Sequence, residues 1–565
     1  MEDTLKAAIK RALENLGIAA PADIVLEHPA DLAHGDYSTN VAMVLAKQLK
    51  QNPRELAQKI ADEINTNKPK EVTAVEVAGA GFINFRLAPE FFAAMTKEIL
   101  KQKEKFGRGT GLKGKKILLE KSAPNLFKPF HVGHLLNLSI GESLSRILAA
   151  SGAKVVPVAY PSDISLGASK AVWAVMQKKL ANAMTVDNLG DAYVYGTKMY
   201  DEDEAVKRNI DEINKEIYEK KSGSALAVYE KGRDICLAYF KRITKRLGSK
   251  FDGYFFESEA GRLGKKIVEK HLGGIFENGE NGAIIFPGEK YGLHTRVFIT
   301  SAGLPVYEAK DIGLIELKFK KYHPDRSLVI TDVEQKQYFE VIKKAATLVF
   351  GEWGERSSYW QHGRMHFAGG SISSRYGNVP LAEDLIDMVK GKVSEKMSSV
   401  EKKSRVAADD RLVEDIALAG LRYSFLRTGV GKNIIFDFDK SLSFEGDSGP
   451  YLQYSYARSR SVLRKAKDEG IKADVKRKIG EPGALEKLLY RFPEIVRRAG
   501  EEFAPHHIAT YLVELASAWN SFYANNTIAD KADAGAPYKV ALASAFATVM
   551  RNGLDLLAIA APERM

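Results

Sequence analysis

Apolar positions repeat with a helical period in some stretches of the chain and alternate as in β-strands in others, which divides the 565 residues into three parts. Residues 1–110 combine predicted helices over 40–49 and 53–64 with two β-rich runs around the turn Gly79-Ala80-Gly81. We therefore predict a mixed α/β unit there, followed by a Gly- and Lys-rich linker at 105–116.

The middle part alternates strands with helices. A buried strand at 117–120, an amphipathic helix and a second strand at 154–160 predict a βαβ unit with a parallel sheet. Further β-like patterns follow at 284–300, 305–316 and 327–332. We therefore predict an α/β fold, with a doubly wound parallel sheet of the Rossmann type over 111–400 and an insertion at about 168–300.

Residues 401–565 carry almost only helical patterns. Pro505 and Pro537 lie just before two of the predicted helices, where proline is tolerated. The predicted helices cover 411–428, 450–468, 484–500, 506–525 and 538–558. This part is predicted to be an all-α helix bundle.

The net charge of +11 favours a polyanionic partner such as nucleic acid, although an idle basic surface would give the same number. The single cysteine, Cys236, excludes an internal disulfide and a cysteine-based zinc site, which suits a reducing cytoplasm. The first residues show an amphipathic helix pattern rather than a secretory signal, and no apolar run approaches the roughly 20 residues that span a bilayer. We expect a monomeric protein that lies in the cytoplasm and has no membrane partner.

The sequence Ser-Ala-Pro-Asn-Leu-Phe-Lys-Pro-Phe-His-Val-Gly-His, at 122–134, follows the first strand of the predicted sheet and enters a helix. Ligands of such sheets lie outside the carboxyl ends of the strands, and a helix N-terminus offers free N–H groups to phosphate. Gly133 allows close approach, and His131 and His134 add donors for a triphosphate. The alternative is that both histidines face solvent and cap the helix.

This stretch resembles the HIGH signature of class I aminoacyl-tRNA synthetases, and in full it is similar to the arginyl-tRNA synthetase version. Further motifs resemble the same family in the same order: His34-Gly35-Asp36-Tyr37, Gly81-Phe82-Ile83-Asn84, Gly449-Pro450-Tyr451-Leu452-Gln453-Tyr454 and Ala561-Pro562-Glu563-Arg564-Met565. The resemblance implies ATP-dependent attachment of L-arginine to its tRNA through an arginyl-adenylate. It also implies a tRNA-elbow-binding domain at 1–110, a catalytic domain at 111–400 and an anticodon-binding domain at 401–565.

The second signature of the family, KMSKS, resembles Ser371-Ile372-Ser373-Ser374-Arg375, although that stretch could equally be a flexible polar loop. Ser371 stands where the family has its first lysine. Many arginyl-type enzymes lack this lysine, and we hypothesise that Lys128, just before the first signature, supplies the charge. The residues predicted to be catalytic are His131, Gly133, His134, Lys128, Ser373, Ser374 and Arg375. Of these, His131, His134, Lys128 and Ser373 are predicted to bind ATP, with Mg²⁺ held through the ATP phosphates and no dedicated metal site.

A guanidinium substrate requires carboxylates for paired hydrogen bonds. The resemblance places Glu120, Asn125, Tyr307, Asp311 and Gln335 around arginine, with Asp311 as the main partner of the guanidinium. Tyr307 and Asp311 share one face if their segment is helical. Each of these residues could instead be a surface or capping residue. Asp163 matches the family's Gly-Asp-Trp-Gly stretch, but the tryptophan is missing, so its role is carried over weakly.

The resemblance implies that the C-terminal bundle holds the anticodon, with Tyr454, Tyr456, Arg458 and Arg460 as the predicted tRNA contacts. The alternative is that the tyrosines pack in the core and the basic residues are solvated. Two other functions would share parts of this sequence pattern. A cysteinyl-type synthetase usually needs zinc-binding cysteines, which one cysteine excludes. A catalytically inactive RNA-binding relative stays open because of Ser371 and the altered Asp163 region.

Overall fold

The computed structural model describes residues 1–29, 31–368, 380–401, 409–476 and 481–565. Its N-terminal unit packs helices on a small antiparallel sheet with strand order β1-β3-β2 and a core of its own. Asn52 begins one of these helices by accepting hydrogen bonds from two backbone N–H groups, and Pro53 occupies its first turn. The elements are α1 (Glu2–Asn15), β1 (Tyr37–Thr39), α2 (Val41–Leu49), α3 (Pro53–Thr66), β2 (Val72–Ala78), β3 (Phe82–Leu87) and α4 (Pro89–Gln102).

Five parallel strands form the central sheet, in the order β11-β10-β4-β5-β6. The chain moves outward from β4 to β6, then crosses back to β10 and β11, so the direction of winding reverses between β4 and β10. This is the doubly wound topology that the sequence predicts, and its crevice lies at the carboxyl ends of β4 and β10. The strands are β4 (Lys116–Ser122), β5 (Lys154–Ala159), β6 (Gly253–Tyr254), β10 (Arg326–Asp332) and β11 (Ser357–His362).

Long helices connect these strands. The first, α5 (Val132–Ala150), follows β4, and α12 (Lys336–Phe350) with α13 (Glu352–Glu355) follows β10. Four helices with a core of their own lie between β5 and β6 and are called the helical insertion here. They are α6 (Leu166–Gln177), α7 (Val186–Glu202), α8 (Glu204–Glu219) and α9 (Ser224–Arg246).

The predicted insertion at 168–300 is divided by the fold, because β6 within it is a strand of the central sheet. After β6 come α10 (Glu257–Lys270) and a small antiparallel sheet of β7 (Glu277–Asn278), β8 (Ile284–Phe286) and β9 (Arg296–Ile299). The β-like prediction at 305–316 is wrong, since this segment forms α11 (Tyr307–Tyr322). Ala309, Ile312, Ile315 and Phe319 are buried at helical spacing, a period that short apolar runs conceal.

The described residues of 401–565 are helical, as predicted, apart from β13 (Ile434–Phe436), which pairs in parallel with β12 (Met365–Phe367) from the preceding part of the chain. The predicted helix at 484–500 is two helices that meet near Pro493. The helices are α14 (Ala382–Glu401), α15 (Asp410–Leu426), α16 (Phe438–Ser441), α17 (Gly449–Asp468), α18 (Ala484–Leu489), α19 (Phe492–Glu501), α20 (His506–Asn525) and α21 (Ala536–Leu556). Within the described ranges, every helix is too short or too polar to cross a membrane.

Candidate active site

A cavity of about 890 Å³ opens at the carboxyl ends of β4 and β10, where the winding of the sheet reverses. It is lined by Glu120 from β4, the start of α5, one face of α11 and the loop after β10. The structure places eight of the predicted site residues on its wall: Glu120, Asn125, His131, Gly133, His134, Tyr307, Asp311 and Gln335.

His131 and His134 lie at the start of α5, and hydrogen bonds from backbone N–H groups fix the orientation of their rings. Nδ1 of His131 accepts the N–H of Gly133 at 3.2 Å, and Nδ1 of His134 accepts the N–H of His131 at 3.4 Å. The two rings stack with their centroids 3.6 Å apart. Since both Nδ1 atoms accept, each neutral ring carries its proton on Nε2, which leaves that atom as the donor for a ligand.

The charge state of the two histidines follows from their surroundings. Burial, together with the nearby Lys128 ammonium, lowers the pKa of His131 to about 4. Burial also holds the pKa of His134 well below its usual value. Both rings are therefore neutral at neutral pH and act as hydrogen-bond donors through Nε2 rather than as cations.

Lys128 lies on the loop between β4 and α5, beside the cavity. It is half-buried, and burial lowers the pKa of its ammonium. Its Nζ lies 5.6 Å from the ring centroid of Tyr193, on α7. It is not among the described residues that line the cavity wall, so its reach into the cavity depends on the path of the loop.

Asp311 and Glu120 differ in their partners although both face the cavity. The hydroxyl of Tyr338 donates to Asp311 at 2.6 Å, and burial raises the pKa of the Asp311 carboxyl to about 7. Glu120 instead pairs with the ammonium of Lys318 at 2.6 Å, and both side chains are almost fully buried. Glu120 is thus compensated by a direct ion pair, whereas Asp311 has no ion-pair partner among the described residues.

The other predicted arginine contacts lie around Asp311. Tyr307 is 55% exposed at the mouth of the cavity, four residues before Asp311 on α11. Gln335 accepts a hydrogen bond from the hydroxyl of Thr331 at the end of β10. Asn125 is paired through its backbone with Ser162, which follows β5.

Sequence reasoning missed the basic partners of the cavity. Lys318, seven residues after Asp311, could have been found once that segment was treated as a helix, because residues seven apart share a face. Tyr338 and the pairs Lys310–Glu257 at 2.6 Å and Arg296–Glu308 at 3.1 Å join distant segments, and no local pattern indicates them.

Asp163 lies outside the described cavity wall and is fully buried. It accepts hydrogen bonds from the backbone N–H and the hydroxyl of Ser258 at 2.9 and 2.7 Å and lies 3.2 Å from Arg233 Nε. Asp163 therefore ties the end of β5 to α9 and α10. The second signature, with Ser371, Ser373, Ser374 and Arg375, lies outside the described residues.

The predicted tRNA contacts on α17 separate into exposed and buried groups. Tyr454 is 38% exposed, and the guanidinium of Arg458 stacks 4.6 Å from its ring centroid and donates to Asn520 at 2.8 Å. Arg460 is paired with Glu563 at 3.1 Å. Tyr456 is only 2% exposed and packs in the core, so the prediction that it contacts RNA is corrected. Leu452, Tyr456 and Ser459 are buried at helical spacing, a signal that the sequence contained.

Comparison with known families covers nearly all of the chain. Residues 3–87 match the arginyl tRNA synthetase N terminal domain, residues 95–438 the class I (R) tRNA synthetase catalytic domain, and residues 452–565 the DALR anticodon binding domain. An arginine--tRNA ligase of Thermococcus sibiricus is 30% identical, covering 100% of this chain and 98% of the relative. One of Clostridium perfringens is 28% identical over 100% of this chain and 99% of the relative.

Solved structures agree with this assignment. Thermus thermophilus arginyl-tRNA synthetase superposes with a TM-score of 0.79 at 25% identity, over all of both chains. The Plasmodium falciparum enzyme gives the same TM-score at 18% identity, which supports the fold. The resemblance of the signature motifs is thereby confirmed, and the chain belongs to the arginyl-tRNA synthetases, the class I enzymes that use ATP to charge tRNA with arginine.

Proposed function

We propose that arginine and ATP meet in the cavity between β4 and β10 and that Asp311 holds the guanidinium of arginine. The observation that carries this proposal is the pairing of the other acidic side chains on the wall. Among the described residues, Asp332 accepts the backbone N–H of Glu334, and four glutamates each have a basic partner. These pairs are Glu120–Lys318, Glu257–Lys310, Glu308–Arg296 and Glu334–Arg364.

An unpaired carboxylate in a buried setting is unfavourable until a cation reaches it. The planar guanidinium offers paired donors to Asp311, and the exposed Tyr307 and the amides of Asn125 and Gln335 surround the rest of the amino acid. Lysine cannot present such a fork, so a pocket built on these hydrogen bonds rejects it by roughly 10⁴ without an editing domain. Glu120 forms part of the pocket wall and accepts hydrogen bonds, while the ammonium of Lys318 neutralises its charge.

The ATP subsite is proposed at the start of α5. Nε2–H of His131 and His134 donate to the phosphates at the positive end of the α5 dipole, and Lys128 adds a positive charge. The N–H of Gly133 is held by Nδ1 of His131, and its missing side chain lets the phosphates come close to the backbone. Ser373, Ser374 and Arg375 belong to this subsite by family resemblance. The arginine carboxylate attacks the α-phosphate and pyrophosphate leaves. A terminal ribose hydroxyl of tRNA then attacks the arginyl carbonyl carbon, and AMP and the hydroxyl proton are released. A carboxylate needs no general base, so positioning and charge stabilisation supply the catalysis.

The tRNA contacts are proposed on two domains. The bundle at 401–565 holds the anticodon through Tyr454 and Arg458, with Arg460 at the side, since aromatic and guanidinium planes stack on splayed bases. The unit at 1–110 contacts the tRNA elbow, and residues 111–400 carry the catalytic site. The boundary at 110 follows the family resemblance and the core of the N-terminal unit, whereas the boundary at 400 follows the resemblance alone, because one core joins the central sheet to the bundle.

The remaining assignments concern the setting of the reaction. We propose that Mg²⁺ enters with ATP, because this cation keeps several waters and is usually held through substrate phosphates and one or two carboxylates. In the described part of the chain, no group of three or more His, Cys, Asp or Glu side chains is placed to hold a metal ion. A monomer in the cytoplasm is the proposed state and compartment.

Two substitutions test which residues bind arginine and which bind ATP. Asp311→Ala should raise the arginine KM by a factor of about 100 or more while the ATP KM changes little, since one charge-assisted pair is lost. Lys128→Ala should instead lower the rate of adenylate formation, by a factor of roughly 100. Steady-state pyrophosphate exchange measures both. Equal changes of the two KM values in Asp311→Ala, or a wild-type rate in Lys128→Ala, would reject the corresponding role.

A further inference from the structure

The loop that carries Lys128 contains a backbone conformation that its sequence does not favour. Phe127 has φ of 65°, in the left-handed region, where a bulky residue is an outlier that needs support from its surroundings. Its side chain is nevertheless fully buried. The structure around Phe127 must therefore hold this residue, and with it the following Lys128, in place.

That support comes from α9 of the helical insertion. The N–H of Phe127 donates to Sγ of Cys236 at 3.3 Å, and its ring stacks on Tyr229 with centroids 5.8 Å apart and planes 15° from parallel. The ring lies directly over Gly232, where an added Cβ would come within 2.6 Å of the Cε1 atom of Phe127. Three positions of one helix thus fix the backbone, the plane and the depth of this side chain.

A second helix of the insertion supports the residues that follow. Pro129 packs so closely on α7 that a Cβ at Gly190 would lie 2.8 Å from it. Lys128, between the two anchored residues, extends beside Tyr193 of the same helix. Both flanks of Lys128 therefore rest on the helical insertion rather than on the central sheet.

We propose that the helical insertion positions Lys128 for ATP, with Phe127 as the positioning residue that α9 holds in the left-handed conformation. This inference rests on the proposed role of Lys128 at the phosphates. It gives the four helices between β5 and β6 a function in catalysis. Among the described residues, none from these helices lines the cavity, so they act through Lys128.

Gly232→Ala is the direct test, because the new methyl displaces the ring of Phe127 without removing any group. Alanine favours a helix over glycine, which offsets part of the cost of crowding the buried ring, so the fold should be retained with at most a modestly lower unfolding temperature. We expect kcat/KM for ATP in pyrophosphate exchange to fall by about tenfold or more, while the KM for arginine changes little. Gly223→Ala, at the start of the same helix, meets no atom within 4 Å and is the matched control.

A rescue variant separates positioning from a general structural effect. In Phe127→Leu the side chain ends before the Cε1 position, so adding this change to Gly232→Ala removes the close contact. The double variant should recover most of the lost kcat/KM for ATP. A double variant as impaired as Gly232→Ala alone, or a Gly232→Ala enzyme with wild-type activity, would overturn the proposal.

A cycle with Lys128→Ala shows whether the effect passes through Lys128. If it does, Gly232→Ala should cause no further loss in an enzyme that already lacks Lys128. The same fold loss in both backgrounds would overturn the inference and leave the role of Lys128 standing. A wild-type rate in Lys128→Ala alone would instead reject the proposed role of Lys128, and the inference with it.

Discussion

At the scale of single residues, the cavity combines groups that one element positions with groups that meet from distant segments. His131, Gly133 and His134 lie at the start of α5 because a loop enters a helix there, and their geometry is set within four residues. The partners that tune the cavity are different, since Lys318 and Tyr338 reach Glu120 and Asp311 from other segments. A helical period places Lys318 on the same face as Asp311, but its pairing with Glu120 and the contact of Tyr338 with Asp311 follow from the packing of α11 and α12 against the sheet.

His131 has two functions that one substitution can separate. His131→Asn keeps a side chain that caps helices well, so the unfolding temperature should stay close to that of the wild type. It removes the Nε2–H donor, and adenylate formation should fall by roughly 10²–10³. Single-turnover measurement of adenylate gives the rate. A near-wild-type rate would show that His131 only caps α5.

The carboxyl of Asp311 predicts how arginine binding depends on pH. Burial raises its pKa to about 7, so below that pH the free enzyme carries a proton that arginine must displace. The arginine KM should therefore rise roughly tenfold as the pH falls from about 8 to about 6.

Tyr338→Phe supplies the matched comparison for this titration. The hydroxyl of Tyr338 favours the charged form of Asp311, so its loss should move the midpoint of the KM profile to higher pH. In Asp311→Asn the KM should be high and nearly independent of pH. A pH-dependent KM in Asp311→Asn would assign the titration to another group.

At the scale of elements, the sequence predicts segments with one clear apolar pattern well, and segments whose apolar runs are interrupted poorly. The strands at 117–120 and 154–160 and the helices at 411–428 and 506–525 were confirmed within a few residues. The segment at 305–316 was predicted as β-like because its apolar runs are short, and packing on α10 makes it a helix. The side of α17 that faces the core, with Tyr456, decides which of its aromatic residues remain exposed.

The exposed side of α17 should bind tRNA. Tyr454→Ala and Arg458→Ala should each raise the KM for tRNA by about tenfold, because base stacking and a cation are lost. The arginine and ATP KM values at saturating tRNA should not change. Arg262→Ala removes an exposed charge on α10 and is the charge-matched control. If Arg262→Ala raises the KM for tRNA as much as Arg458→Ala does, and Tyr454→Ala leaves it unchanged, the effect is one of net charge and not of a binding surface.

At the scale of the whole molecule, the N-terminal unit contacts the C-terminal bundle. Glu494 of α19 accepts a hydrogen bond from the hydroxyl of Tyr37 and lies 2.9 Å from Nε2 of His28. The motif that contains Tyr37 predicts an N-terminal domain of this family, but its contact with the bundle depends on the assembled fold. The domains proposed for the tRNA elbow and the anticodon are therefore in direct contact. The central sheet with its cavity lies between them along the sequence.

The central claim is that this chain charges tRNA with arginine in the cavity that contains Asp311. The most direct measurement is aminoacylation of mixed tRNA by the purified protein with ATP and each amino acid in turn, for the wild type and for Asp311→Ala. We predict that the wild type charges tRNA with arginine and not with lysine. The Asp311→Ala variant should reach the same charging only at a much higher arginine concentration. Charging with another amino acid, or unchanged arginine dependence in Asp311→Ala, would contradict the account.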